Sequence, residues 1–233
     1  MNATERGEPS SEMDDDHQAF LERSQRKWDR WSRIYAINEW DTESIRREMI
    51  DQLDLEPGDA VVEVGCGPGV NFELLRERVG PEGQVLGIDY SPEMVARAQE
   101  RIDEHGWENV EVRREDATRA DLPSESFDAA VAAQALSSMP DVRAVVELLY
   151  DALRPGGRLG VYGVRLVPSG PATVLNPFIL RFYRWFANWN DEEDVLVELE
   201  RTFEDVEVVS TYALETNYVG SATKSADADG GGA

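Results

Sequence analysis

VVEVGCGPGV, Val61–Val70, places a run of apolar, mostly β-branched residues directly before three glycines at alternate positions. A phosphate-cradling loop of this kind would need Lys-Ser/Thr behind its last glycine, and no lysine stands here, so hydrolysis of a nucleoside triphosphate is unsupported. The dinucleotide fingerprint fits better. Gly65-Cys66-Gly67 supplies its first half, yet its third glycine belongs at position 70, where Val70 stands, and Gly69 comes one place early behind Pro68. A tight strand-to-helix turn without a ligand is the competing reading.

Outward from this loop the chain alternates strand and helix. Apolar runs with turn signals at their ends predict strands at Ala60–Val64, Gln84–Asp89, Val110–Arg113, Phe127–Ala132 and Arg158–Val164. Helical spacing predicts helices at Val70–Val79, Pro92–His105 and Val142–Leu153, with Ser91 as N-cap and Pro92 at the first helical position of the second. Strands as continuously apolar as AVVEV and QVLGI suit a parallel sheet covered on both faces. The expected fold class is therefore α/β, a doubly wound, Rossmann-like, mostly parallel sheet with helices on both faces. At its carboxyl end, FEDVEVVSTYAL and TNYVGSATK read as two strands of an antiparallel hairpin.

Two further helices are expected ahead of the sheet, His17–Trp40 and Thr42–Leu53. Two more follow it: one starting at Asn176-Pro177, the other running from a capping box at Asn190 and Glu193 to about Phe203. In domain terms, residues 1–16 form a disordered acidic N-terminus, 17–56 a helical cap or lid, 57–220 the ligand-binding domain and 221–233 a disordered tail.

The 233 residues carry 47 Asp and Glu against 23 Lys and Arg, a formal net charge of -24. A carboxylate-rich surface of this kind suits a halophilic setting, where it keeps a protein hydrated at high salt. It weighs against nucleic acid as a partner, since phosphate binding needs clustered cations. One cysteine, Cys66, excludes an internal disulfide, and with only two histidines, His17 and His105, no metal site is expected. No apolar h-region opens the chain and no run reaches the length of a membrane span, which leads to a cytoplasmic, soluble expectation.

Glu63 lies in the strand before the glycine loop, where an apolar residue would be ordinary, and a carboxylate there can attract a cationic ligand group. Asp89 ends the next strand in GIDYS, where an acid can accept from ribose hydroxyls. Together they suggest a nucleoside with a positive end and no pyrophosphate.

VVEVGCGPG, GIDYSPEM, REDATRADLPSESFDAAVAAQALSSM and LRPGGRLGVYG, in this order, resemble the class I S-adenosylmethionine-dependent methyltransferases over roughly Glu39 to Lys224. The resemblance implies a seven-stranded sheet with an antiparallel final strand and S-adenosyl-L-methionine as cofactor. It implies that the backbone of Gly65, Cys66, Gly67 and Gly69 passes the methionine portion, with Glu63 near its ammonium group and Asp89 on the ribose. Tyr90 or Met94 would pack on the adenine, Asp116 and Ala117 would read its edge, and Gln134 and Leu136 would line the site near the methyl group. Bland alternatives remain for each: paired or water-facing acids, a helix-capping or turn role for Asp89, ordinary core residues.

FDAAVAAQALSSMPD and the N-terminal WDRWSRIYA are most similar to the ubiquinone/menaquinone C-methyltransferases and their small-molecule relatives. That implies a small-molecule or lipid-quinone acceptor, with Trp31 and Tyr35 as lid residues; a helix packed on the sheet through its aromatics is the alternative. A phenolic acceptor would need a base, for which His17, Tyr35 and Tyr90 qualify by side-chain chemistry alone. PFILRFYRWFANW is either an amphipathic face that meets lipid, with Arg181 and Arg184 toward anionic headgroups, or a core helix. An NAD-dependent oxidoreductase and a non-catalytic cofactor-binding protein are the alternative functions on the same fold.

Overall fold

The computed structural model describes residues 11–35 and 42–226, with side chains at 15–30 and 42–226. Seven strands form one sheet in the order β3-β2-β1-β4-β5-β7-β6. They are β1 (Ala60–Val64), β2 (Gln84–Asp89), β3 (Val110–Arg114), β4 (Phe127–Ala133), β5 (Leu153–Val164), β6 (Asp205–Tyr212) and β7 (Asn217–Thr223). Strands β1 to β5 pair in parallel, while β7 runs antiparallel to both β5 and β6. Strand order reverses between β1 and β4, which opens a crevice at their carboxyl ends, where α/β sheets bind ligands.

The side chains of β1 show how the sheet is covered. Val62 and Val64 point into one apolar layer with α5 (Val142–Ala152) and α7 (Val195–Thr202). Val61 points to the opposite layer, with α2 (Glu43–Asp51), α3 (Phe72–Val79) and α4 (Pro92–His105), and by the alternation of a strand Glu63 shares that face. In α5, Val142, Val145, Val146 and Leu149 repeat at i, i+3, i+4 and i+7, and all are fully buried. Helix α2 lies across β5 and β7, where Gly160 leaves room for Met49 and Leu53: a Cβ there would come within 3.1–3.3 Å of them. Helices α1 (Ser11–Tyr35) and α6 (Asn176–Ala187) pack on each other, and α1 also packs on α4.

Several boundaries differ from expectation for local reasons. Helix α3 starts at Phe72, because Val70 and Asn71 are taken up by the glycine turn. Strand β5 reaches back to Leu153: Phe127 pairs with Leu153 but Ala129 with Arg158, so Arg154–Gly157 bulges out through Gly156 at φ 81°. Helix α7 begins at Val195 with Asp194 as its cap, not at Asn190. The Asn190-Glu193 pair serves another helix instead. Glu193 Oε2 accepts from Val142 N at the start of α5 (2.7 Å), and Asn190 Nδ2 donates to Glu193 and to Met139 O.

The described residues reach into both expected terminal segments. Ser11–Asp16 belong to α1, strand β7 continues past residue 220 to Thr223, and Lys224 is buried. Its ammonium donates to Tyr150 O (2.9 Å) and Leu153 O (2.7 Å), neutralising the carbonyl end of α5. Trp40 and residues 36–41 lie outside the described residues. No described helix is long and apolar enough to cross a membrane.

Candidate functional site

A cavity of about 370 Å³ opens at the carboxyl ends of β1, β2 and β4, and α1 forms part of its wall. Of the residues expected there, Glu63, Gly65, Cys66, Gly67, Asp89, Tyr90, Met94, Asp116, Ala117 and Gln134 line it. Gly69 and Leu136 do not. A Cβ at Gly69 would fall 2.6 Å from the Phe72 ring, so this glycine faces the first turn of α3, at φ 73°. Leu136, 2% exposed, points into the apolar layer under α5, and Ser138 and Met139 take the wall position beyond β4.

Glu63 is the most unusual group in the site. It is 1% exposed, and Asn71 Nδ2 donates to its Oε1 at 2.6 Å. Arg46 Nη1 holds Asn71 in turn through its Oδ1 (3.1 Å) and bonds Val70 O (2.8 Å). Glu63 Oε2 is buried with no hydrogen-bond partner among the described residues. Burial pushes the carboxyl up to about 8, against the opposing pull of the Asn71 bond and the Arg46 charge, with Asp89 adding to the rise. A cation at Oε2 would offset that cost, since a buried carboxylate is tolerated when paired.

Asp89 is held differently. Its Oδ2 accepts from Gly67 N (2.9 Å) and its Oδ1 from Ser91 N (2.8 Å), fixing the glycine loop to the end of β2. Burial raises its carboxyl to about 6, although both backbone N–H groups favour the charged form. Each oxygen keeps a lone pair for a ligand hydroxyl. Of the bland readings, the turn role is present in the bond from Ser91 N to Asp89 Oδ1, while the helix cap falls to Ser91, whose Oγ accepts from Met94 N at the start of α4.

Gly67 sits at φ 55°, and a Cβ built on it would meet nothing within 4 Å, so its open side belongs to the cavity. Cys66 packs its sulfur against the Phe72 layer, and burial pushes its thiol well above the ordinary range, with the Asp89 and Glu63 charges reinforcing the rise. A thiolate nucleophile is disfavoured at such a position. Among the described residues, no group of three or more His, Cys, Asp or Glu is placed to hold a metal ion.

Helix α1 is tied over the cavity at several points. His17 Nε2 meets Asp116 Oδ2 at 2.8 Å, and Asp29 Oδ1 accepts from Ser91 Oγ at 2.6 Å. Gln18 Nε2 reaches Tyr90 Oη at 3.5 Å. Asp116 Oδ1 meanwhile accepts from Thr118 N and Oγ1, so both of its oxygens are engaged. His17 is thus bound to Asp116 and does not line the cavity, whereas Tyr90 does. The Trp31 and Tyr35 side chains lie outside the described residues.

The cavity wall holds residues that the sequence reading did not assign to the site. Leu21, Ser24, Gln25 and Trp28 form one face of α1, and their spacing was the available signal. Arg46 stands on the apolar stripe of α2 with Met49 and Ile50, a position that demands a buried acceptor. Tyr162, Pro140 and Phe186 come from three separate segments, and no local pattern joins them.

The family model described as "Methyltransferase domain" matches residues 61–157. Over 164 residues the chain is 35% identical to phosphatidylethanolamine N-methyltransferase of Cereibacter sphaeroides, covering 70% of this chain and 78% of that one. It is 36% identical over 133 residues to nocamycin O-methyltransferase of Saccharothrix syringae, covering 57% of this chain and about half, 48%, of the relative's length. Among solved structures, a geranyl diphosphate methyltransferase in complex with GPP and sinefungin superposes with a TM-score of 0.69 at 16% identity, over 89% of this chain and 99% of that chain. The last is a similarity of fold.

Proposed function

Because this chain belongs to the class I S-adenosylmethionine-dependent methyltransferases, we propose that the cavity between β1, β2 and β4 seats both S-adenosyl-L-methionine and an apolar small-molecule or lipid acceptor. The observation that carries the reading is the buried, unpartnered Oε2 of Glu63 on the cavity wall. It supports a ligand with an ammonium group and disfavours a pyrophosphate, which would meet two carboxylates here and a Val70 where the dinucleotide turn needs glycine.

Glu63 would hold the ammonium group and the remaining lone pairs of Asp89 the ribose hydroxyls. The backbone of Gly65, Cys66 and Gly67 would lie along the methionine portion, and Tyr90 and Met94 would give apolar contact to the adenine, with Ala117 and Gln134 completing the wall. Asp116 would act first through His17, keeping α1 closed. Bound S-adenosylmethionine supplies a methyl group on a positively charged sulfur, an electrophile that needs alignment more than activation. The chain's own work is then to orient the acceptor and exclude water, for which Leu21 and Trp28 of α1 and Phe186 of α6 are suited.

Trp28, Met139, Pro140, Tyr162 and Phe186 give the wall an apolar, aromatic part beside polar residues such as Gln25 and Ser138, which supports an acceptor of that character, a lipid quinone included. The phosphatidylethanolamine and nocamycin enzymes among its relatives bracket the same range, from lipid to small molecule. The acid-rich composition supports a salt-adapted setting. Incubating the protein with methyl-labelled S-adenosylmethionine and separated lipid and polar cell extracts tests the proposal. Label is expected in an apolar product. Label confined to polar products would overturn the acceptor class, and failure to bind S-adenosylhomocysteine would overturn the site.

A further inference from the structure

We propose that the outer face of α6, extended by Val174, Leu175 and the turn at Leu214, docks the protein on an anionic phospholipid surface. This goes beyond methyl transfer and can fail while that reading stands.

Helix α6 is rich in aromatic residues, yet none of its residues is buried. Phe178, Phe182 and Trp185, at i, i+4 and i+7, are 73%, 51% and 62% exposed, and Val174 and Leu214 are 71% and 62% exposed. Single exposed apolar side chains are ordinary on protein surfaces, but these are contiguous. Leu175, Phe178, Ile179 and Phe182 share one open groove of about 430 Å³ with Ala213 and Leu214.

The far wall of that groove is held in a costly conformation. Ala213, Leu214 and Glu215, the turn between β6 and β7, lie at φ 48°, 59° and 62°, a left-handed run that L residues adopt only under constraint. Thr216 imposes it, donating through N (3.2 Å) and Oγ1 (2.7 Å) to Ala213 O. Leu214 is thereby presented outward beside α6.

Charge identifies the occupant. In a chain with 47 acidic residues, no Asp or Glu stands between Asp151 and Asp191, while Arg154, Arg158, Arg165, Arg181 and Arg184 do. Arg165 is paired with Glu215 and Arg184 with Asp191. Arg181 is exposed among Phe178, Phe182 and Trp185 and has no ion pair among the described residues. A second copy docked face to face would bring two such arginines together, while the nearest acids, Glu215 and Asp191, are already paired with Arg165 and Arg184. Phospholipid provides what the face lacks, acyl chains for the aromatic side chains and phosphate for Arg181. The net charge of -24 opposes this only at long range, and at about 1 M salt screening shortens that range to about 3 Å. Phe186, on the inner side of α6, lines the cavity and meets Trp28 edge-on at 6.2 Å, so docking would set the cavity wall at the lipid surface.

The test is co-sedimentation in molar KCl with vesicles of phosphatidylglycerol and phosphatidylcholine in equal parts, and with phosphatidylcholine alone. Wild type is compared with Phe178→Ser/Phe182→Ser/Trp185→Ser and with Arg181→Glu, each checked for a thermal shift by S-adenosylhomocysteine. Wild type should pellet with the anionic vesicles, the triple variant should partition at least tenfold less, and Arg181→Glu should lose the preference for phosphatidylglycerol. Should the triple variant not fold, quenching of tryptophan fluorescence by bromo-acyl phosphatidylglycerol, reduced in Trp185→Phe, reports the same contact. Wild type left in the supernatant overturns the proposal. So does equal pelleting of all three proteins, or a wild-type dimer that the α6 variants disperse without any vesicle binding. Loss of the thermal shift with vesicle binding intact would instead count against the methyl-transfer reading alone.

Discussion

The buried carboxyl of Glu63 makes ligand affinity depend on pH in a way that can be worked out beforehand. In the free protein it is raised to about 8, so near neutrality the site holds a proton that an ammonium ligand must displace. Below about pH 8, each unit of acidification then costs about tenfold in affinity, because binding is linked to release of that proton. From about pH 8 to about pH 6.5 the loss comes to about 16-fold, while Asp89, raised to about 6, adds less than a factor of about two over the same range. Glu63→Gln removes the linkage, so its affinity for S-adenosylhomocysteine should be weaker at pH 8 and nearly flat below. Isothermal titration in two buffers of different ionisation enthalpy reads the affinity and the released proton together. An affinity of the wild type that is flat between those pH values, or the same pH dependence in Glu63→Gln, would refute the reasoning.

Three further outcomes follow from single contacts. Glu63 is more easily protonated folded than unfolded, so its stabilising contribution is complete below about pH 4.5 and is lost as pH rises through about 8. Ligand-free Glu63→Gln should therefore melt above wild type at pH 8 and close to it at pH 5. Gly67→Ala should cost about 1 kcal/mol of stability through its φ of 55° but more than tenfold in affinity, because the added methyl enters the cavity; thermal melting and titration separate the two effects. Glu193→Ala removes the acceptor for Val142 N and should lower stability by about 1 kcal/mol in a denaturant melt, with ligand affinity unchanged.

Much of the fold could be read locally because β1 and β2 carry their own punctuation. AVVEV and QVLGI run between turn residues, and Ser91-Pro92 marks the start of α4, so these bounds coincide with the structure. The errors arise where a local pattern serves a distant partner. Asn190 and Glu193 have the spacing of a capping box, but Glu193 caps α5, a helix some fifty residues away. Asn71 is drawn out of α3 by the turn, and there it meets Glu63.

The site divides in the same way. The glycine loop and Asp89 were legible because a turn and the strand after it are one local unit. Leu136 was misplaced because a short 3-10 turn after β4 rotates it inward and brings Ser138 and Met139 to the cavity. Trp28, Arg46, Tyr162 and Phe186 converge from four elements, and only packing brings them together. The reach of His17 to Asp116, across 99 residues, is of the same kind.

The most direct measurement is a crystal structure of the protein grown with S-adenosylhomocysteine. The account predicts the ligand in the cavity between β1, β2 and β4, its ammonium group on Glu63 Oε2 and its ribose hydroxyls on Asp89. Ligand bound elsewhere, or seated in the cavity with its ammonium group away from Glu63, would contradict it.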